Sequence, residues 1–246
     1  MDGGPNTMSK NERRWDVYGG IDPRTIPIYG TPEAARYLRI PERTIQSWVF
    51  GRSYDTNRGS KQTPSLVPLA RGSNNTLSFI NLLELHVLGA IRRDHRVDMK
   101  RVRTALNYLK EKFGSEHPLV DEAMETDGKS LFVMKYGRLI NASQDGQVAM
   151  AEILKDHLER IERDENGLAI RLYPFTRKET HGAPKLITID PLVAFGRPVI
   201  VGSRATTVDV ADRFKAGESP SSLAEDYGRT PEEIWEAIRC ELETAA

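Results

Sequence analysis

The stretch from Tyr29 to Arg52, YGTPEAARYLRIPERTIQSWVFGR, leaves the chain little choice of local structure. Thr31 stands where a hydroxyl can N-cap a helix, and Pro32 follows at the first helical position. Ala34, Ala35 and Leu38 form a small apolar face that lets another helix cross closely. Arg39-Ile40-Pro41 then breaks the helix, because a residue before proline is pushed out of the α region. Pro41 starts a second helix. In it Ile45, Trp48 and Val49 recur at i, i+3 and i+4 and share one inward face. Arg43, Gln46, Ser47 and Phe50 are left outward, and Gly51 ends the helix.

This is the layout of a helix-turn-helix whose second helix can lie in a DNA major groove. Arg43, Thr44, Gln46 and Ser47 are suited to contact base edges or phosphates. A plain helical hairpin in a core is the competing reading. Arg39 holds the turn position that is often glycine, which makes it a candidate contact to the DNA backbone.

Charge supports the first reading. Residues 1–113 hold 19 Lys and Arg against 11 Asp and Glu, a balance of +8, while residues 114–246 hold 16 against 24, or −8. A basic first half and an acidic second half suggest two different partners, the first polyanionic. Cys240 is the single cysteine, so no intrachain disulfide is available. The opening residues have no apolar core for a signal peptide, and no apolar run is long enough for a bilayer. A cytoplasmic protein with no membrane contact is expected.

In chain order, residues 1–27 read as a polar, flexible arm, with Trp15 and Tyr18 as anchors and Arg13 and Arg14 within reach of a DNA backbone. After the helix-turn-helix, the apolar pieces Ser65–Leu69 and Thr76–Phe79 predict a two-stranded wing with its tip at Arg71–Asn75. Arg52, Arg58, Lys61 and Arg71 are candidate phosphate contacts. Helices are expected over residues 79–93 and 97–113, closing a winged helix-turn-helix unit at 28–114. His86 within the first is expected to be a satisfied histidine at the core edge rather than a metal ligand. From Ile28 to Arg103 there are 13 basic and 6 acidic residues, the electrostatic footprint of a DNA-binding domain. Ala34-Ala35, Ile45, Trp48, Gly51-Arg52 and Leu77-Ser78-Phe79, leading into Leu82, Leu85 and Ile91, resemble the DNA-binding domain of MerR-type regulators and excisionases.

Residues 115–180 predict a small α+β unit that connects and dimerises. A hairpin is expected with Leu131–Met134 and Leu139–Ile140 across Lys135–Arg138. A helix follows with Val148, Ile153, Leu154, Leu158 and Ile161 on one apolar face, then a strand at Leu168–Pro174. Paired carboxylates on that helix are its wet face, and no catalytic constellation stands out.

Residues 181–246 predict two extended pieces, Leu186–Ile189 and Pro198–Val201, followed by three helices. Thr207 or Asp209 begins the first and Gly217 ends it. Ser219 caps the second with Pro220 next, and Gly228 ends it. Thr230 caps the third, with Pro231 next and Glu233 completing a capping box. Ala224, Gly228 and Ile234 have the spacing of another helix-turn-helix. From Thr207 onward there are 4 basic and 10 acidic residues, a charge that a duplex would repel. A basic protein partner or a second copy is the better expectation.

Asp190-Pro191, Gly196-Arg197-Pro198, Gly202-Ser203-Arg204, Gly217, Ala224, Tyr227 and Ile234 strongly resemble the DUF 433 family. Ser203 stands where Thr is usual and Ala205 where a larger apolar residue is usual. This domain behind a long helix-turn-helix unit looks like the larger VapB-type antitoxins. That resemblance implies a PIN-like ribonuclease as partner, operator DNA as ligand and no cofactor. It leaves Arg197, Arg204, Tyr227 and Trp235 as candidate partner contacts. Arg197 and Arg204 are expected first to pair internally with Asp190 or Asp209, and otherwise to reach carboxylates around the metal of such a nuclease. The expected class is mainly α with small β elements, an α+β homodimer that is not an enzyme. A stand-alone MerR-like regulator sensing a small molecule is the alternative.

Overall fold

Helices α1 (Thr31–Leu38) and α2 (Glu42–Phe50) meet at Arg39, whose φ of 54° and ψ of 41° are left-handed. Its N–H closes α1 on the Ala35 and Arg36 carbonyls, so arginine fills the turn that glycine usually fills. Ala34, Ile45, Trp48 and Val49 are buried as their spacing requires. The expected cap is corrected by one residue. Gly30 is the N-cap, and Glu33 Oε2 accepts from its N–H at 2.8 Å. Thr31 lies inside the helix and donates its hydroxyl to Glu42 Oε1 at 2.8 Å, pinning α1 to the start of α2.

The computed structural model describes residues 19–56, 59–69, 73–92, 99–121, 123–140 and 143–242. Trp15, Tyr18, Arg13 and Arg14 lie outside the described residues, as do Arg58 and Arg71.

The wing is not where the apolar pieces put it. Strands β1 (Arg52–Thr56) and β2 (Gly59–Thr63) pair antiparallel directly after α2, with Arg52 opposite Thr63. No apolar alternation in the sequence predicts this hairpin. All of β2 is exposed, so no apolar alternation marks it. Gly51 makes the junction possible. Its φ is 76°, and a Cβ there would stand 2.2 Å from the Thr63 carbonyl oxygen. The Leu66 and Val67 N–H groups close the end of α2 on the Trp48 carbonyl, at 2.6 and 3.2 Å. Leu77 bridges to Tyr29.

Helices α3 (Phe79–Arg92) and α4 (Met99–Phe113) follow where periodicity places them. Ser78 and Asn81 exchange hydrogen bonds at the start of α3. His86 is buried with a ring nitrogen 3.0 Å from the His157 carbonyl oxygen, as a satisfied core histidine should be.

The expected hairpin at 131–140 is a helix, α5 (Lys129–Ile140), preceded by one π turn at Met124–Gly128. Phe132, Val133 and Tyr136 are buried at helical spacing, and the Phe132 and Tyr136 rings stack 5.9 Å apart. Gly137 is not a turn. A Cβ there would fall 2.7 Å from Gln147 Cδ, so glycine lets α5 approach α6 (Gln144–Leu158) closely. On α6, Leu154 and Leu158 are buried but Val148 is 54% exposed, and Ile161 has passed into a strand. Helices α3 to α6 form the central helical layer, with α6 on α3 and α5 against α4 and α6.

Strands β3 (Ile161–Arg163) and β4 (Ala169–Leu172) pair antiparallel. Leu172 bridges to Ile189, joining this hairpin to the third unit. There β5 (Ile187–Thr188) pairs with β6 (Val199–Ile200). Three helices follow: α7 (Thr207–Lys215), α8 (Pro220–Tyr227) and α9 (Pro231–Glu241). Thr206, Ser219 and Thr230 cap them, the last with Glu233 completing its capping box. Gly228 repeats the Arg39 turn with φ 60° and ψ 43°. The fold is therefore mainly α with small antiparallel β pairs, and it holds two helix-turn-helix shapes. No described helix is long and apolar enough to cross a membrane.

Candidate nucleic-acid interface

The outward face of α2 opens into a concavity of about 570 Å³. Arg43, Thr44, Gln46, Ser47 and Phe50 line one side, and Arg52, Arg92 and Met99 the others. Among the described residues that line it there is no carboxylate. Cations from α2, from the first residue of the hairpin and from the end of α3 thus converge on one hollow beside an exposed helix face. That arrangement suits a phosphate backbone bordering an inserted helix.

The side chains differ in readiness. Arg43 and Gln46 are exposed and Ser47 is half-buried. Gln46 donates its amide to Glu42 Oε1 at 2.9 Å, one turn back on α2. Thr44 is buried, and its hydroxyl accepts from Arg92 Nη1. Thr44 therefore positions Arg92 rather than presenting itself. Sequence reasoning missed Arg92, which arrives from a helix with no other outward role in the motif. Lys61 is exposed on β2, outside the hollow. Arg103 donates to the Pro64 and Ser65 carbonyls at 2.8 and 3.1 Å, holding the foot of the hairpin, and burial lowers its pKa from the ordinary arginine value.

Arg39 does not join this face. Its guanidinium donates to the Thr176 carbonyl, tying the turn to the segment that leads into the third unit.

The candidate partner contacts lie in the third unit. Arg197 and Arg204 are both exposed and flank β6 in sequence. The expected internal pairing is overturned. Asp190 is taken by Arg171, Nε to Oδ2 at 2.9 Å, and Asp209 is taken by the Thr206 cap. Tyr227 is half-buried under the Arg213 guanidinium, 5.3 Å from the ring centre. Trp235 is 39% exposed and meets the Phe214 ring edge-on at 5.6 Å. Arg213 is itself held above its ordinary pKa by hydrogen bonds to Glu218 and Asp226.

Two family models match the chain. Residues 27–106 match a family described as "Putative DNA-binding HTH domain", and residues 187–239 match "Protein of unknown function (DUF433)". The chain is 29% identical over 229 residues to a Mycobacterium tuberculosis protein named "Putative antitoxin VapB45", covering 87% of this chain and 93% of that one. It is 24% identical over 220 residues to the uncharacterized protein Rv2308 of the same organism, covering 86% and 88%. A crystal structure of Rv2018 from Mycobacterium tuberculosis superposes with a TM-score of 0.62 at 24% identity, over 87% of this chain and 98% of that chain. The chain thus carries an N-terminal helix-turn-helix region similar to a putative DNA-binding family and a C-terminal region similar to the DUF433 family.

Proposed function

We propose that this chain is an antitoxin that represses its own operon through the first unit and neutralises a PIN-like ribonuclease through the third. The hollow on α2, ringed by Arg43, Arg52 and Arg92, is the observation that carries the DNA half. The similarity to an antitoxin supports the other half. The chain acts by binding, without catalysis or cofactor. As a homodimer joined through the middle unit, it would lay two α2 helices in successive major grooves. Arg197, Arg204, Tyr227 and Trp235 belong to the partner face.

The test is a double variant, Arg43→Ala with Gln46→Ala, assayed for operator binding and for capture of the ribonuclease. Loss of specific operator binding with capture intact is expected. Equal loss of both, in a chain that keeps its fold, would sink the division of labour.

One feature favours a second reading, a regulator that senses a small molecule. A cavity of about 310 Å³ opens between α3 and the β3–β4 turn, lined by Arg24, His117, Asp121 and Asn166 among apolar residues. A small ligand that raises Tm without any ribonuclease present would move the assignment there.

A further inference from the structure

Arg39 occupies the left-handed turn between α1 and α2, at φ 54°. Glycine takes that conformation freely, whereas a side chain makes it uncommon. A residue of this kind keeps such a backbone where its surroundings secure it. Here the securing groups come from outside the DNA-binding unit. The Arg39 guanidinium donates to the main-chain carbonyl of Thr176, and the Thr176 hydroxyl donates to Glu236 Oε2 on α9. Thr176 is buried, and Glu236 is only 1% exposed. A carboxylate at that depth is tolerated when it is fully paired. Glu236 Oε1 accepts from Arg177 Nε and from Arg239 Nη1, each at 2.6 Å. Glu236 is therefore a fixed point, and Thr176 carries that fixity to the turn.

A second tie lands on the same helix. Arg36, one turn earlier on α1, pairs with Glu241, further along α9. Helix α1 is thereby held against α9 at two points. Helix α2 takes its pose from α1, through the Thr31 hydroxyl on Glu42 and through the turn at Arg39. Arg43 and Gln46 are exposed on α2, on the face that borders the hollow. A continuous path thus runs from Glu236 through Thr176 and Arg39 to the helix that would read bases.

We infer that Thr176 and Glu236 are positioning residues for DNA reading. Through Arg39 they set the angle between α1 and α2, and with it the aim of Arg43 and Gln46 at base edges. This rests on the operator-binding reading and extends it, because it makes the third unit a working part of the DNA-reading device. Directional contacts of this kind need their side chains held within about 0.5 Å and 10–20°. Contacts to phosphates fix register but carry no sequence information directly, and they survive a small change of helix angle. Releasing the turn should therefore reduce sequence choice and spare general affinity for DNA. A tie that served stability alone would lower Tm and leave both unchanged in the folded chain.

The test uses the full chain with two duplexes, one spanning the promoter of its own operon and one of random sequence. Each is titrated at several salt concentrations, well below the Tm of every variant. Thr176→Val removes the hydroxyl and nearly keeps the volume, whereas Thr176→Ser keeps the hydroxyl. Arg39→Gly removes the guanidinium from a turn that suits glycine. Thr176→Val and Arg39→Gly should each weaken promoter binding at least about 5-fold, the loss of one well-aimed base contact. Random-duplex affinity and the salt slope should stay at their native values, and Thr176→Ser should bind as the native chain does. Native promoter affinity in both weakened variants overturns the positioning role and leaves the DNA reading standing. So does a Thr176→Ser variant as weak as Thr176→Val, which assigns the effect to the methyl group. Arg39→Gly with equal loss on both duplexes and a salt slope reduced by about 1 makes Arg39 a phosphate contact, and this also overturns the proposal. If Thr176→Val does not fold, Arg39→Gly decides alone. A native chain that does not prefer the promoter duplex overturns the operator reading and the proposal together.

Discussion

Arg36 on α1 and Glu241 on α9 form an ion pair, Nε to Oε2 at 2.9 Å, between the DNA-binding unit and the DUF433 unit. The carboxylate is buried, and its other oxygen accepts from the Thr207 hydroxyl at the start of α7. Helices far apart in sequence thus share one charged joint. Glu241→Gln keeps the shape and removes the charge, so it should cost about 1–3 kcal/mol. A urea titration should show a lower midpoint with an unchanged slope. Adding Arg36→Met should cost less than the sum of the single changes, because each already breaks the same pair.

Arg160 makes a second joint. It is buried, and its guanidinium donates to the main-chain carbonyls of Tyr173, Ala183, Pro174 and Pro184 at 2.7–3.0 Å. It also lies over the Phe175 ring, 4.6 Å from the centre. This one side chain organises the segment between β4 and β5. Arg160→Met leaves four carbonyls without a donor and should cost about 3–5 kcal/mol. Arg160→Lys should recover only part of that, since an ammonium does not reproduce the planar fork. Hydrogen exchange across residues 173–184 should accelerate in both variants.

Both joints show why some of this molecule was legible in the sequence and some was not. Two caps of the third unit were readable because Ser219-Pro220 and Thr230-Pro231 act locally, while the helix expected to begin at Thr207 or Asp209 begins at Thr207 with Thr206 as its cap. The motif at Tyr29–Arg52 was readable for the same reason. The β1–β2 hairpin was missed because β2 is exposed throughout and carries no apolar alternation, and α5 was misread because Gly137 serves a helix crossing rather than a turn. The outward side of α2 was legible at Arg43, Gln46 and Ser47, whereas Thr44 is buried under Arg92. Arg92 was not, because its place depends on α3 ending beside Thr44. Likewise, Arg171 takes Asp190 only because β4 runs next to β5, a tertiary fact with no sequence signal.

Arg92 and Gln46 should separate affinity from sequence choice. Arg92 reaches the hollow from outside α2, held by the Thr44 hydroxyl, and under the proposed function it would meet a phosphate. Arg92→Ala should weaken operator and random duplex alike and reduce the salt slope of binding by about 1. Gln46→Ala should instead cost about 1–3 kcal/mol on the operator and relax choice at one base pair. Titrations at several salt concentrations, on both duplexes, distinguish the two. A salt slope unchanged in Arg92→Ala would remove Arg92 from the interface.

The pair of His117 and Glu84 should make the fold sensitive to pH. Glu84 on α3 is buried, and His117 Nδ1 lies 3.1 Å from its Oε1 at the edge of the cavity. The hydrogen bond to Glu84 raises the His117 pKa, while partial burial and Lys110 oppose it. Burial raises the Glu84 pKa, and His117 and Asn81 oppose that. Below the ordinary histidine value, both folded and unfolded chains hold the His117 proton, and its stabilisation is fully present. As pH climbs to the raised folded value, the unfolded chain releases the proton first, so stability is progressively lost. Glu84 has the same sign at more acid pH. Tm should therefore be higher near about pH 6 than near about pH 8.5. His117→Gln should flatten that difference while leaving Glu84 with one fewer charged partner. A pH dependence that survives unchanged in His117→Gln would remove the effect from this pair.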